Sequence, residues 1–154
     1  INAISASLYL FGKHSEQWDK VRDNPKLLPT AFNEVIRVES PIQILRRVLS
    51  RDYEINDFVL SAGASVLMLY GSGNRDGRRW NEPDRFDATR NPVGHLAFGM
   101  GIHNCPGQIL ARAETMALMQ GLLKAVSRIE IGEPVWHLNN VIRGLGHLPV
   151  KLHA

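Results

Sequence analysis

The apolar positions of this chain fall into blocks whose period switches between that of a helix and that of a strand. The first block, Ile1 to Gly12, is apolar on most sides and reads as the end of a buried helix. Ser15 is placed to cap a short second helix that carries Trp18 and Val21 and stops before Pro25. Pro29 sits where a first helical position belongs. The helix it opens runs to about Glu39, with Phe32, Val35 and Ile36 among its apolar residues, and ends before Pro41. β-type runs follow: Arg47 to Ser50 and Tyr53 to Leu60 read as paired strands, and Ser65 to Tyr70 as a third. Gly71 to Pro92 is rich in Gly, Asn, Asp, Arg and Pro, and is long enough to be a packed or functional loop rather than a linker. A glycine-containing loop from Gly94 to Cys105 leads to a strong helix from Pro106 to about Val126, with Ile109, Ala113, Met116, Leu122 and Val126 near one face. Short strands near Ile129 to Ile131 and Leu148 to Leu152 close the chain. The pattern predicts a mainly α chain with small β-sheets at one side, an α+β class, with no internal repeat or domain boundary.

Composition narrows the functional classes. The 154 residues carry a net charge of only +3, which gives no ground for nucleic-acid binding. No apolar run is long enough to span a bilayer. A single cysteine excludes a disulfide framework and fits a reducing, cytoplasmic setting. The chain opens at Ile1 inside a helical pattern, with no methionine and no cap, which reads as a small protein with a frayed start or as part of a longer chain.

The one cysteine sits in the most informative stretch, Phe98-Gly99-Met100-Gly101-Ile102-His103-Asn104-Cys105-Pro106-Gly107. An aromatic, two glycines and a histidine precede it, and a helix follows. A thiolate is a soft, strongly donating ligand for iron, copper or zinc. Zinc ribbons and iron–sulfur clusters need several cysteines, whereas one axial thiolate on a haem iron needs only this one. The pattern Phe-x-x-Gly-x-His-x-Cys-x-Gly resembles the haem-binding signature of the cytochrome P-450 monooxygenases. Glu34-Val35-Ile36-Arg37 resembles the family's K-helix motif, Pro83-Asp84-Arg85-Phe86 its Pro-x-Arg-Phe element, and Asn74-Arg75-Asp76 a turn of its soluble bacterial members. The resemblance runs from Ile1 to Leu152. It implies the C-terminal portion of a larger enzyme of that fold: the end of the distal helix, the K-helix region, a meander loop, the cysteine loop, the proximal helix and the terminal strands, residues 1–154 forming part of one domain.

The resemblance implies haem b (iron protoporphyrin IX) with Cys105 as its proximal ligand. The thiolate's donation favours cleavage of the O–O bond. The helix after Pro106 is expected to aim its positive end at the sulfur, and Gly107 to let that backbone come close. Phe98 is the implied aromatic beside the sulfur, and Gly99 allows the sharp loop. His103 and Arg47 are implied propionate partners, with Arg46 pointing to the other strand face. Glu34, Arg37 and Arg85 are implied to form a buried structural triad. Gln43, Ile44, Leu45, Val141 and Ile142 are weaker candidates for substrate contact. The other histidines and the tryptophans carry no ligand spacing and read as ordinary packing or surface residues.

The family's acid–threonine pair of the distal helix has no counterpart here, so no catalytic residue is expected in this chain, and the chain alone is expected to be inactive. The implied parent inserts one oxygen atom from O2 into a small organic substrate. Electrons would come from NAD(P)H through a ferredoxin reductase and a ferredoxin. The wording of Leu138 to Leu145 and of Glu39 to Gln43 resembles members that oxidise small aromatic acids. The alternatives are a haem-binding sensor without turnover, an inactive fragment, and a cysteine–histidine hydrolase, the last lacking any oxyanion site or orienting third residue.

Overall fold

The computed structural model describes residues 1–154. Three helices come first: α1 (Asn2–Lys13), α2 (Ser15–Asp23) and α3 (Leu28–Glu39). Helix α2 differs from expectation at its start. The His14 carbonyl accepts the Gln17 and Trp18 amides, so His14 occupies the cap position and the Ser15 side chain caps nothing. Helix α3 is buried nearly all round, its charged Glu34, Arg37 and Glu39 included. A helix of that kind lies at the centre of a protein, and its charges must find partners there.

Strand β1 (Ile44–Val48) pairs antiparallel with β4 (Ser65–Leu69), while β2 (Tyr53–Ile55) and β3 (Phe58–Leu60) pair only with each other. The expected pairing of the Arg47 run with Tyr53 to Leu60 is therefore wrong. Asn56, at φ 51°, lets Tyr53 to Leu60 fold back on itself as a small hairpin. Asp52 accepts the Ala62 amide, and Gly63, at φ 82°, turns the chain back so that its amide reaches the Leu49 carbonyl. The hairpin is thus an excursion from the longer β1–β4 ladder.

A single turn, α4 (Tyr70–Gly73), opens the long loop, which is packed rather than free: Trp80, Phe86 and Ala88 are buried. Helix α5 (Gln108–Ala125) begins two residues later than expected. Pro106 and Gly107 form a turn in which the Cys105 carbonyl accepts the Gln108 amide, and Ala111 makes the first bond back to Gly107. Its buried side is set by Thr115 and Met119, with Met116 and Leu122 beside them; Ile109 is 77 % exposed and Ala113 is also exposed, so neither joins the core. Strand β5 (Arg128–Ile131) pairs with β8 (Val150–His153), close to expectation. An unexpected small ladder joins β6 (Val135–Trp136) to β7 (Leu145–His147).

The core gathers Leu10 and Phe11 of α1, Trp18 and Val21 of α2, Leu28, Ala31 and Val35 of α3, Met119 of α5 and Ile129 of β5. Phe11 makes edge contacts with Trp18 and Phe86, at 5.4 and 5.5 Å, and so ties the long loop to the helices. No helix is long and apolar enough to cross a membrane.

Candidate functional site

The loop before α5 folds tightly on itself. The Cys105 amide donates to the Phe98 carbonyl at 2.7 Å, closing a ring that contains a turn of 3-10 helix at Gly101–His103. Gly99 sits at φ 73°, and a Cβ there would lie 2.6 Å from the His103 carbonyl oxygen, so the loop requires glycine. Gly101 is also left-handed, at φ 62°. Gly107 lies beside the sulfur: its missing Cβ would stand 3.9 Å from Sγ.

The loop is fastened to α3 by buried polar groups. Asn74 is fully buried; its Oδ1 accepts the Leu96 amide at 2.7 Å and its Nδ2 donates to Ser40 Oγ at 2.7 Å. Ser40 Oγ in turn donates to the Arg37 carbonyl. Arg37 and Glu34 form a two-point ion pair with side chains 0 % exposed, Nε to Oε2 at 2.7 Å and Nη2 to Oε1 at 2.8 Å. Arg37 Nη1 also donates to the Asn74 and Pro83 carbonyls. Such a pair survives burial because every remaining donor has an acceptor.

The third member of this network is Arg90, not Arg85. Arg90 Nε reaches Glu34 Oε1 at 2.9 Å, and its other nitrogens donate to the Asn81 and Glu82 carbonyls. Arg85 offers Arg37 only its backbone carbonyl, at 3.4 Å, and its guanidinium turns outward to Glu82. Phe86 is driven into the core, and its neighbour Arg85 is sent to the surface. The spacing of the Pro-x-Arg-Phe element gave no sign that an arginine five residues farther on would take the role.

Cys105 is half-buried and faces a cavity of about 220 Å³. The loop forms one wall through Ala97, Phe98, Gly99 and His103; Ile42, Leu45 and Tyr70 form the other. A neighbouring hollow of about 350 Å³ shares Tyr70 and His103 and is walled by Arg47, Met68, Leu96 and Met100. Arg47 and His103, far apart in sequence, therefore meet at one rim. Neither is paired with an acidic side chain; Arg47 donates only to the adjacent Arg46 carbonyl. Arg46 turns to the opposite face and holds Ser65 Oγ, as strand alternation requires.

The substrate-contact candidates divide. Leu45 lines the cavity. Gln43 does not: its amide nitrogen donates to the Glu39 and Ser40 carbonyls and caps the end of α3. Ile44 lies on the other face of β1 from Leu45 and is likewise excluded. Val141 and Ile142 form no part of the cavity wall, although Ile142 bridges to Ile42, which does. Ile42 and Tyr70 were not foreseen as wall residues. Tyr70 ends the predicted Ser65–Tyr70 strand but opens α4 in the structure, and Ile42 lies in the connection before β1, where alternation gives no guide.

Two further residues behind the loop went unnoticed. Arg112 of α5 lies 5.2 Å from the ring centres of both Phe98 and Phe32 and donates to Asn33 Oδ1. Burial lowers its pKa. His95 accepts the Ala97 amide at Nδ1 and leans on Phe98; burial, then Arg112 and Arg37, push its pKa down to about 4. It therefore stays neutral at ordinary pH. A single histidine without ligand spacing carried no signal of this.

The donor chemistry fits an iron porphyrin. No cluster of three His, Cys, Asp or Glu side chains exists to enclose a bare metal ion, and Cys105 is the one thiol. It faces an apolar space, and the two unpaired nitrogenous side chains at the rim suit the carboxylates of such a group.

The family model for Cytochrome P-450 matches residues 9–129. The chain is 41 % identical over 153 residues to cytochrome P-450 CYP199A2 of Rhodopseudomonas palustris, covering 99 % of this chain and 37 % of that protein. It is 43 % identical over 150 residues to the beta-dihydromenaquinone-9 omega-hydroxylase of Mycobacterium tuberculosis, covering 97 % of this chain and 31 % of that one. The crystal structure of the cytochrome P-450 BioI, in complex with an acyl carrier protein bearing hexadec-9Z-enoic acid, superposes with a TM-score of 0.90 at 38 % identity over 99 % of this chain and 40 % of its own. The chain thus spans well under half the length of these relatives. Helices, small sheets and cysteine loop together form a portion of the fold that these proteins share, and the chain belongs to the cytochrome P-450 family.

Proposed function

We propose that this chain is the haem-thiolate portion of a monooxygenase that inserts one oxygen atom from O2 into a small organic substrate. The observation that carries the reading is Cys105, the only thiol, facing an apolar cavity whose rim holds the unpaired Arg47 and His103. Cys105 is the iron's protein ligand in this reading, and Arg47 and His103 bind the two propionates. When bound, the haem supplies the O2 chemistry, with two electrons from NAD(P)H delivered through a ferredoxin reductase and a ferredoxin.

This chain's own residues supply the setting. The Phe98 carbonyl and the Gly99 turn fix the direction of the thiolate, and the N-terminus of α5 stabilises its charge. Phe98 and Ala97 limit water beside the sulfur. Arg112 and neutral His95 hold Phe98 from behind, and the Glu34–Arg37–Arg90 network with Asn74 keeps the loop in place. Leu45 and Ile42 supply apolar contact for the substrate.

A small aromatic acid is the substrate class we favour, supported by the wording of residues 39–43 and 138–145. Relatives differ widely here: one is a menaquinone hydroxylase, and a solved neighbour, CYP109E1 from Bacillus megaterium, binds testosterone. The test is turnover of a panel of small aromatic acids by the full-length protein with reductase, ferredoxin, NAD(P)H and isotopically heavy O2. One heavy oxygen atom in the product supports the reading. Haem binding with no incorporation into any organic substrate favours the sensor alternative.

A further inference from the structure

The turn between β6 and β7 is clamped to the end of α3. Three backbone contacts join it to residues 41–43: the Arg143 amide donates to the Pro41 carbonyl at 2.9 Å, the Gln43 amide donates to the Val141 carbonyl at 2.8 Å, and Ile42 bridges to Ile142. Asn139 Oδ1 accepts both the Val141 and Ile142 amides and gives the turn its shape. Over these lies one side-chain link. Arg143 Nε donates to Glu39 Oε2 at 2.9 Å, with Glu39 6 % and Arg143 38 % exposed. The Arg143 guanidinium also stands 3.9 Å from the centre of the Trp136 ring, and Trp136 meets Tyr9 of α1 edge-on at 5.2 Å.

This clasp has a consequence for the cavity. Ile42 is a cavity wall residue, and the turn reaches the cavity only through it. The side chains of Val141 and Ile142 are apolar and partly exposed, at the turn tip next to that wall. Where Ile42 stands therefore depends on where the turn is held. Glu39 is nearly buried and has Arg143 as its only side-chain cation. Arg143 is itself held on its flat face by Trp136, a planar stack that an ammonium group cannot reproduce.

We propose that Arg143, through Glu39 and Trp136, is a positioning residue for substrate selection: by holding the turn against residues 41–43 it sets where Ile42 stands in the wall of the cavity beside Cys105. The proposal rests on the haem-thiolate reading of that cavity. Arg143 touches neither Cys105 nor the loop around it, so loosening the clasp changes which molecules fit and leaves the thiolate untouched.

The probes are imidazole and the bulkier phenylimidazole, whose binding to the iron of the full-length haem protein is read by absorption. In Arg143→Gln and in Glu39→Gln, phenylimidazole binding weakens by about fivefold, the scale of a coupling through one packed intermediary. Imidazole binding changes by less than about twofold in the same variants, because a small ligand presses less on the wall that Ile42 forms. Haem content and the ferrous–CO band stay as in the unsubstituted protein, and Arg143→Lys recovers part of the selectivity. Unchanged azole selectivity in both glutamine variants overturns the proposal. So does equal weakening of both azoles with falling haem content in both variants, which would make the clasp a general scaffold. An unsubstituted protein whose iron takes up neither azole contradicts the haem-thiolate reading, and the proposal falls with it; normal uptake with unchanged selectivity overturns the clasp alone.

Discussion

Glu34→Gln isolates the buried network because it removes a charge while keeping the side chain's shape. In the native protein the Glu34 carboxylate meets Arg37 at two points, Arg90 at a third and, at 3.4 Å, the Asp87 amide. The carboxamide that replaces it cannot accept at both ends, and its NH2 group faces a guanidinium. Arg37 is then a cation with no solvent and no counter-charge. Breaking a buried pair from one side costs about 3–5 kcal/mol. For a protein more than twice as long as this chain each kcal/mol moves the melting temperature by about 1–2 °C, which gives a fall of roughly 3–10 °C. Arg85→Gln is the control, since its guanidinium touches only the exposed Glu82; a change within about 0.5 kcal/mol is expected there. Circular dichroism melts of the two haem-loaded variants beside the parent make the comparison. Equal melting of Glu34→Gln and the parent, or a larger loss in Arg85→Gln, would refute the assignment of Arg90 over Arg85.

Other expectations follow from single observations. Gly99→Ala should disrupt the cysteine loop and lower haem loading, because the new Cβ meets the His103 carbonyl at 2.6 Å, whereas Gly121→Ala meets nothing within 4 Å and should leave loading intact; pyridine haemochrome assays distinguish them. Arg47→Gln and His103→Gln should each speed haem loss to an acceptor protein without altering the axial ligand, and unchanged loss rates in both would remove them from propionate binding. His95 has a folded pKa near 4 against 6.5 for an unperturbed histidine, so the unfolded chain takes up its proton first as pH falls. Its contribution is therefore present above about pH 6.5 and lost on descent toward about pH 4, and His95→Gln should flatten that part of a stability–pH curve; an unchanged acid limb would show that His95 titrates normally.

The helices were legible because their apolar period and prolines act locally: α1 and α3 lie within a residue or two of their predicted spans. The strand pairing was not, since Tyr53 to Leu60 alternates equally well whether it pairs with β1 or with itself. Only the left-handed Asn56 and Gly63 decide the matter, and their φ angles are tertiary facts. Within the site, the cysteine loop could be read residue by residue because glycine and cysteine there have few substitutes. Arg90, His95 and Arg112 could not, because a charged or aromatic side chain gains its role from neighbours drawn from α3, α5 and the long loop. Gln43 was misplaced for a related reason: its sequence position beside Leu45 suggested the cavity, while two free carbonyls at the end of α3 claimed its amide.

The central claim is that Cys105 is the protein's ligand to a haem iron, and the ferrous–CO absorption spectrum of the full-length protein tests it most directly. The account predicts the strongly red-shifted band of thiolate ligation, and its replacement in Cys105→His by the band of a histidine-ligated haem. A histidine-type band in the unsubstituted protein, or a thiolate-type band that survives Cys105→His, would contradict it.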